Sequence, residues 1–202
     1  MKSGIHTPGG CDFSSGWPNV FLKQGEFYIS DNDPAMVWTV LGSCVTVTMY
    51  CPIRKIGGMT HSLLPYPLPN AGIPCNQPGR FVDAAIRSLL AKMRSRGAGK
   101  NRLEVKVFGG GNLLPVISGR PRDEKVNIGR LNAETALKVI HELGLQVTAT
   151  DIGGTWGRRL VFYPHCGDVW VRKIIRRLRQ DEGRGTRNQP SVKVTENTAL
   201  TV

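Results

Sequence analysis

The chain has 202 residues, 40% hydrophobic and 21% charged, and its 27 Lys and Arg against 15 Asp and Glu give a net charge of +12. One domain of this size buries roughly 70% of its unfolded surface, so disulfide staples are not needed for stability. The basic balance favours polyanions, acidic protein surfaces or anionic membranes as partners, while the absence of any run near ~20 apolar residues excludes a membrane-spanning helix.

Residues 1–25 are rich in Gly, Ser and Pro, lack periodicity and read as a loose arm; with no apolar run they are not expected to be a secretory signal. Glu26–Ser30 reads as a short strand, Asp31–Pro34 as a turn and Met36–Leu41 as a second strand, broken by Gly42-Ser43. Val45, Val47 and Met49 then alternate with Thr46, Thr48 and Tyr50, the period of a strand with two different faces. Cys51–Lys55 is a turn, and Met59–Leu64 is the returning strand of an antiparallel hairpin that ends at Pro65.

A proline-rich surface loop spans 65–79. Phe81–Arg96 predicts an amphipathic helix, with Val82, Ile86, Leu89, Leu90 and Met93 on one stripe and Gly97 behind it. Leu103–Phe108 is a strand running into Gly109–Gly111. Asn132–Leu143 is a second helix and Leu145–Thr150 a strand; Leu160–Tyr163 and Val169–Ile174 close the fold as a hairpin. Grouped strands with two main helices predict an α+β class, mostly antiparallel. The expected organisation is an arm at 1–25, one domain at 26–178 and a disordered polar tail at 179–202.

Five cysteines without a C-x-x-C pair argue against a disulfide framework or a structural zinc site, and suit a soluble protein of a reducing cytoplasm. The hairpin suggests where chemistry would sit. A turn centred between Pro52 and Ile53 sets Cys44 directly across from His61 on one face. A centre shifted by one whole residue leaves the two as diagonal neighbours on the same face; a half-residue shift separates them. An imidazole beside a thiol can take its proton, and the thiolate then attacks an acyl carbon. Thr39 is a candidate to orient the imidazole. Backbone N–H groups at Gly42, Ser43, Gly109 and Gly110 are candidate oxyanion donors. His165-Cys166 is a rival pair, but adjacent residues of extended chain point apart. Cys51 and Cys75 fall in predicted turns. Gly109–Gly111 lacks the Lys-Ser/Thr of a phosphate loop.

Thr39-Val-Leu-Gly-Ser-Cys44-Val and Gly57-Gly-Met-Thr-His61-Ser-Leu-Leu-Pro65 together resemble the signature of the CheD family of chemoreceptor glutamine deamidases. Further colinear matches are Phe81-Val-Asp83, Val107-Phe-Gly-Gly110, Asn127-Ile-Gly129, Asn132, Asp151-Ile-Gly-Gly154 and Gly157-Arg158, so that the likeness runs over residues 26–173. The resemblance implies a layered α/β/β domain that hydrolyses receptor glutamine amides to glutamate and ammonia. It implies Cys44 as nucleophile, His61 as base and Thr39 as its support, with no metal or cofactor. It further implies methyl-accepting chemotaxis receptors as substrates and, for some relatives, a CheC-type phosphatase as partner. Neither nucleic acid nor membrane insertion is expected. The family often carries Arg directly before the Asn matched by Asn132; here Leu131 stands there, and Arg130 precedes it. A binding module without catalysis, a nucleic-acid binder and another thiol amidase or methylesterase are the alternatives.

Overall fold

The computed structural model describes residues 16–67, 77–113, 127–174 and 194–199. Ten strands form two five-stranded sheets, and two long helices cover one of them. The central sheet takes the order β2 (Phe27–Asp31), β5 (Ile56–Thr60), β4 (Val45–Cys51), β6 (Glu104–Gly109), β7 (Val147–Ile152). The outer sheet runs β1 (Asn19–Phe21), β3 (Met36–Leu41), β8 (Gly157–Tyr163), β9 (Asp168–Ile174), β10 (Val194–Ala199). Helices α1 (Val82–Ser95) and α2 (Ile128–Glu142) pack on each other and on the central sheet. The result is the layered α/β/β domain of the α+β class. Pairing is antiparallel except for β1 with β3 and β6 with β7.

The alternation in β4 gains its meaning from this layering. All seven of its residues are buried, so its two faces are not one wet and one dry. Val45, Val47, Met49 and Cys51 enter the core under the helices, with Ile86, Leu89 and Met93 of α1 and Ile140 of α2. Thr46, Thr48 and Tyr50 point the other way, toward the outer sheet, where the Tyr50 hydroxyl donates to the His165 carbonyl at 3.1 Å. A second core, of Val37, Leu41, Cys44, Met59, Phe108, Leu160, Phe162 and Val171, fills the space between the sheets. Each fully buried Leu, Ile or Met contributes about 1.5–3 kcal/mol of transfer free energy, so the α1 stripe alone is a major source of stability. Gly57 has no side chain for a steric reason: a Cβ there would lie 2.2 Å from the Pro164 carbonyl oxygen in the β8–β9 turn.

Several boundaries differ from expectation. Residues 16–25, expected to be loose, are ordered: β1 pairs with β3, and Leu22 is buried in the inter-sheet core. Six residues of the tail, Val194–Ala199, extend the outer sheet on β9. The β5 strand begins three residues earlier than read, and α2 begins four residues earlier, with the Asn127 side chain accepting from the Arg130 N–H at 3.0 Å. Cys51 is the last residue of β4, buried and free, rather than part of a turn. Cys166 is disulfide-bonded, although the cysteine count and spacing argue against a disulfide framework. Cys11 and Cys75 lie outside the described residues.

Candidate active site

Cys44 immediately precedes β4 and His61 immediately follows β5. The register pairs Thr48 with Met59 and Cys51 with Ile56, and the isolated bridge of Val45 with Ser62 continues it. The turn is therefore centred one residue later than the directly opposed arrangement requires. The whole-residue shift applies: Cys44 and His61 are diagonal neighbours on the face turned toward the outer sheet. Cys44 is 8% exposed and His61 2%.

Thr39 reaches the pair from the other sheet. In β3, Val37, Thr39 and Leu41 point inward and are fully buried. Thr39 Oγ1 lies 2.8 Å from His61 Nδ1 and donates to the Leu22 carbonyl at 2.8 Å. The same carbonyl stands 3.2 Å from His61 Nδ1. A carbonyl only accepts, so the hydroxyl proton goes to Leu22 and the Nδ1 proton faces two acceptors, Thr39 Oγ1 and Leu22 O. That network assigns the Nδ1–H tautomer and leaves Nε2 a bare lone pair. His61 Nε2 is buried and makes no hydrogen bond. A proton acceptor in this state, on the same face as a thiol, is chemically a base awaiting a donor.

The turn carrying Cys44 is fixed through its carbonyls. Gly42 O accepts from the Gly111 N–H at 2.8 Å, Ser43 O from Asn132 Nδ2 at 2.9 Å, and Cys44 O from the Gly110 N–H at 2.8 Å. Asn132, fully buried on α2, also donates to Leu63 O at 2.8 Å, so one side chain ties the Cys44 turn to the chain after His61. Gly109 adopts φ +106°, and a Cβ there would sit 2.2 Å from the Cys44 carbonyl oxygen. In a trans peptide the C=O and the following N–H point in opposite directions. With three successive carbonyls turned toward the Gly109–Gly111 loop and α2, the Ser43 and Cys44 N–H groups turn away from them. Of the glycine candidates, Gly110 has its N–H engaged with the Cys44 carbonyl, and Gly109 is the close-approach position behind Cys44.

Burial sets the charge state. It pushes the Cys44 thiol pKa up, opposed by the residue's own backbone N–H directed at Sγ. It pushes the His61 pKa down, opposed by the Leu22 carbonyl and by Glu26. Both shifts favour a neutral thiol and neutral imidazole at rest rather than a thiolate–imidazolium pair.

Residues the pattern missed come from the supposed arm. β1 pairing carries Leu22 alongside Thr39, and the Gln24 carboxamide Nε2 lies 3.6 Å from Cys44 Sγ. The rival pair is not assembled: Cys166 is in a disulfide, and His165 packs edge-on to Trp17 at 4.6 Å between centroids. Arg130, which precedes Leu131, is exposed on α2 and ion-pairs with Glu134 at 3.6 Å. Arg158, fully buried in β8, bonds Asp151 at 2.8 Å near Gly111. Among the described residues no group of three or more His, Cys, Asp or Glu could hold a metal ion, and no helix is long and apolar enough to cross a membrane.

A thiol, a neutral imidazole with a free Nε2 and a hydroxyl holding Nδ1 are the parts of a cysteine-dependent acyl-transfer site. The family model for CheD chemotactic sensory transduction matches residues 63–173. A probable chemoreceptor glutamine deamidase CheD 2 of Geobacter sulfurreducens is 39% identical over 159 residues, covering 79% of this chain and 92% of that protein. A probable chemoreceptor glutamine deamidase CheD of Maridesulfovibrio salexigens is 38% identical over 161 residues, covering 79% and 94%. One from Shewanella oneidensis, CheD 1, is 39% identical over 155 residues, covering 77% and 72%. The chain belongs to the CheD family.

Proposed function

We propose that this protein is a chemoreceptor glutamine deamidase in which Cys44 is the nucleophile and His61 its base. Support comes from one observation above all: His61 Nε2 is buried without a hydrogen-bond partner while Nδ1 is held by Thr39 and Leu22, on the face shared with Cys44. The relatives' names supply the substrate class.

Substrate binding brings a glutamine δ-carbonyl to Cys44. His61 takes the thiol proton as sulfur attacks, so charge separates only as the tetrahedral intermediate forms. The imidazolium, steadied by Thr39 and the Leu22 carbonyl, returns the proton to the leaving nitrogen, and ammonia departs. His61 then activates a water, which hydrolyses the Cys44 thioester to glutamate and restores the thiol. The resemblance adds a CheC-type phosphatase as a restraining partner. Ammonia release from a cytoplasmic chemoreceptor fragment tests the reading. Wild-type protein is expected to release ammonia, and folded Cys44→Ala protein to release none; equal release by both removes Cys44 from the mechanism.

A further inference from the structure

A tetrahedral intermediate on Cys44 needs at least two donors for its oxyanion. The Gly110 N–H is engaged with the Cys44 carbonyl and the Gly111 N–H with Gly42. The Ser43 carbonyl is taken by Asn132, so the Cys44 N–H of the same peptide turns away from it and is one remaining donor. A second donor, a side chain, reaches the Cys44 sulfur from the turn at residues 23–26.

Lys23–Glu26 form a tight turn, closed by the Glu26 N–H to the Lys23 carbonyl at 3.1 Å, with Gly25 at φ +84°. This turn clasps the base itself. The Gly25 N–H bonds the His61 carbonyl at 2.8 Å, and the His61 N–H bonds the Glu26 carbonyl at 3.0 Å. Gln24 sits at the apex, fixed relative to His61, and its Nε2 donates toward Cys44 Sγ at 3.6 Å. Gln24 is exposed, next to the buried Cys44.

We infer that Gln24 is a catalytic residue of this deamidase, its carboxamide N–H joining the Cys44 backbone N–H as the oxyanion hole. The inference rests on the deamidase reading above. When Sγ bonds the substrate Cδ, the carbonyl oxygen becomes an alkoxide one bond beyond the sulfur's new partner. The Gln24 amide at Sγ and the Cys44 N–H of the same residue as the sulfur are then within reach of that oxygen, and Gln24 can follow it by side-chain rotation. The amide stays neutral throughout; it stabilises charge and transfers no proton. A carboxylate at this position would instead repel the alkoxide.

Gln24→Ala and Gln24→Glu test this, with two readouts on each protein. One is kcat for ammonia release from a chemoreceptor cytoplasmic fragment. The other is the rate of Cys44 alkylation by iodoacetamide, a displacement at sulfur that forms no oxyanion. For Gln24→Ala the expected loss in kcat is on the order of 10- to 100-fold, below the ~10²–10³ of a fully enclosed donor, because the residue is exposed. Gln24→Glu should lose more and should also alkylate more slowly, because its carboxylate opposes the thiolate as well as the alkoxide; alkylation of Gln24→Ala should stay within about 2-fold of wild type. Unchanged kcat overturns the assignment. So does alkylation of Gln24→Ala falling in step with its kcat, which would make Gln24 a support of the thiol, and so does Cys44-dependent conversion of Gln24 to Glu in the peptide map, which would make it a substrate. Wild-type protein that is alkylated yet releases no ammonia overturns the deamidase reading, and this assignment with it; an active wild type matched by an active Gln24→Ala overturns only the latter.

Discussion

Thr39→Val removes a single hydroxyl and nearly preserves shape, which makes it the sharpest probe of how His61 is held. The hydroxyl makes two contacts of 2.8 Å, one accepted from His61 Nδ1–H and one donated to Leu22 O. Neither partner is orphaned by its loss, because Nδ1 and the Leu22 carbonyl remain 3.2 Å apart and can bond each other. Two neutral hydrogen bonds at about 0.5–1.5 kcal/mol each, with no buried group left unsatisfied, put the stability loss at about 1–3 kcal/mol. The tautomer survives on Leu22, so catalysis loses orientation only. A loss near 1.4 kcal/mol is about tenfold in kcat, far from the ~10⁴ that follows when the tautomer itself is inverted. Urea unfolding, ammonia release and nitrogen chemical shifts of His61 read the three quantities separately. An unchanged kcat would refute the role of the hydroxyl. A collapse of activity with the proton moved to Nε2 would refute the Leu22 carbonyl as second acceptor.

Because burial raises the Cys44 pKa and lowers that of His61, alkylation of Cys44 should keep rising with pH beyond the ordinary thiol value of roughly 8.5; a rate already level near neutrality would demonstrate a resting ion pair. His61 binds its proton less readily folded than unfolded, so its contribution to stability is present above the ordinary His pKa of about 6.5 and is lost as pH falls through and below it. His61→Phe should therefore lose less stability than wild type between pH 7.5 and 5, compared by urea unfolding at each pH, with His165, shifted the same way, supplying the remaining slope. Parallel pH dependence in the two proteins would contradict that assignment. Asn132→Ala removes the donor of two part-buried hydrogen bonds, to the Ser43 and Leu63 carbonyls, at about 0.5–1.5 kcal/mol each less some relief from an Oδ1 that has no partner. Lower urea stability with reduced kcat is expected, and full activity would show that the two loops hold without it.

The elements most legible in the sequence were those with strong periodicity. The α1 stripe and the Val/Thr alternation of β4 both appear as read, although the alternation marks two dry interiors rather than one dry and one wet face. Cys44 and His61 could be placed on one face by counting, but not their register, because the turn centre depends on backbone geometry that Pro52 and its neighbours leave open. The first turn of α2 was hidden by Gly129, which propensity disfavours in a helix; a Cβ there would lie 2.5 Å from the Gly111 carbonyl oxygen, so the loop behind Cys44 requires the glycine. Leu22 was invisible for a different reason. It acts through its backbone carbonyl, which every residue type has, and the three-residue β1 that positions it is too short to show a period. Gln24 gave no signal because its role depends on a turn clasped to His61, a contact between residues far apart in sequence.

The central claim is that water, through Cys44, replaces the amide nitrogen of a receptor glutamine. Running the reaction with a chemoreceptor fragment in ¹⁸O-labelled water and mapping peptides by mass spectrometry tests it directly. Wild-type protein should convert specific glutamines to glutamates carrying one labelled oxygen, and folded Cys44→Ala protein should convert none. Conversion of the same glutamines by the Cys44→Ala protein, or none by wild type, would contradict the account.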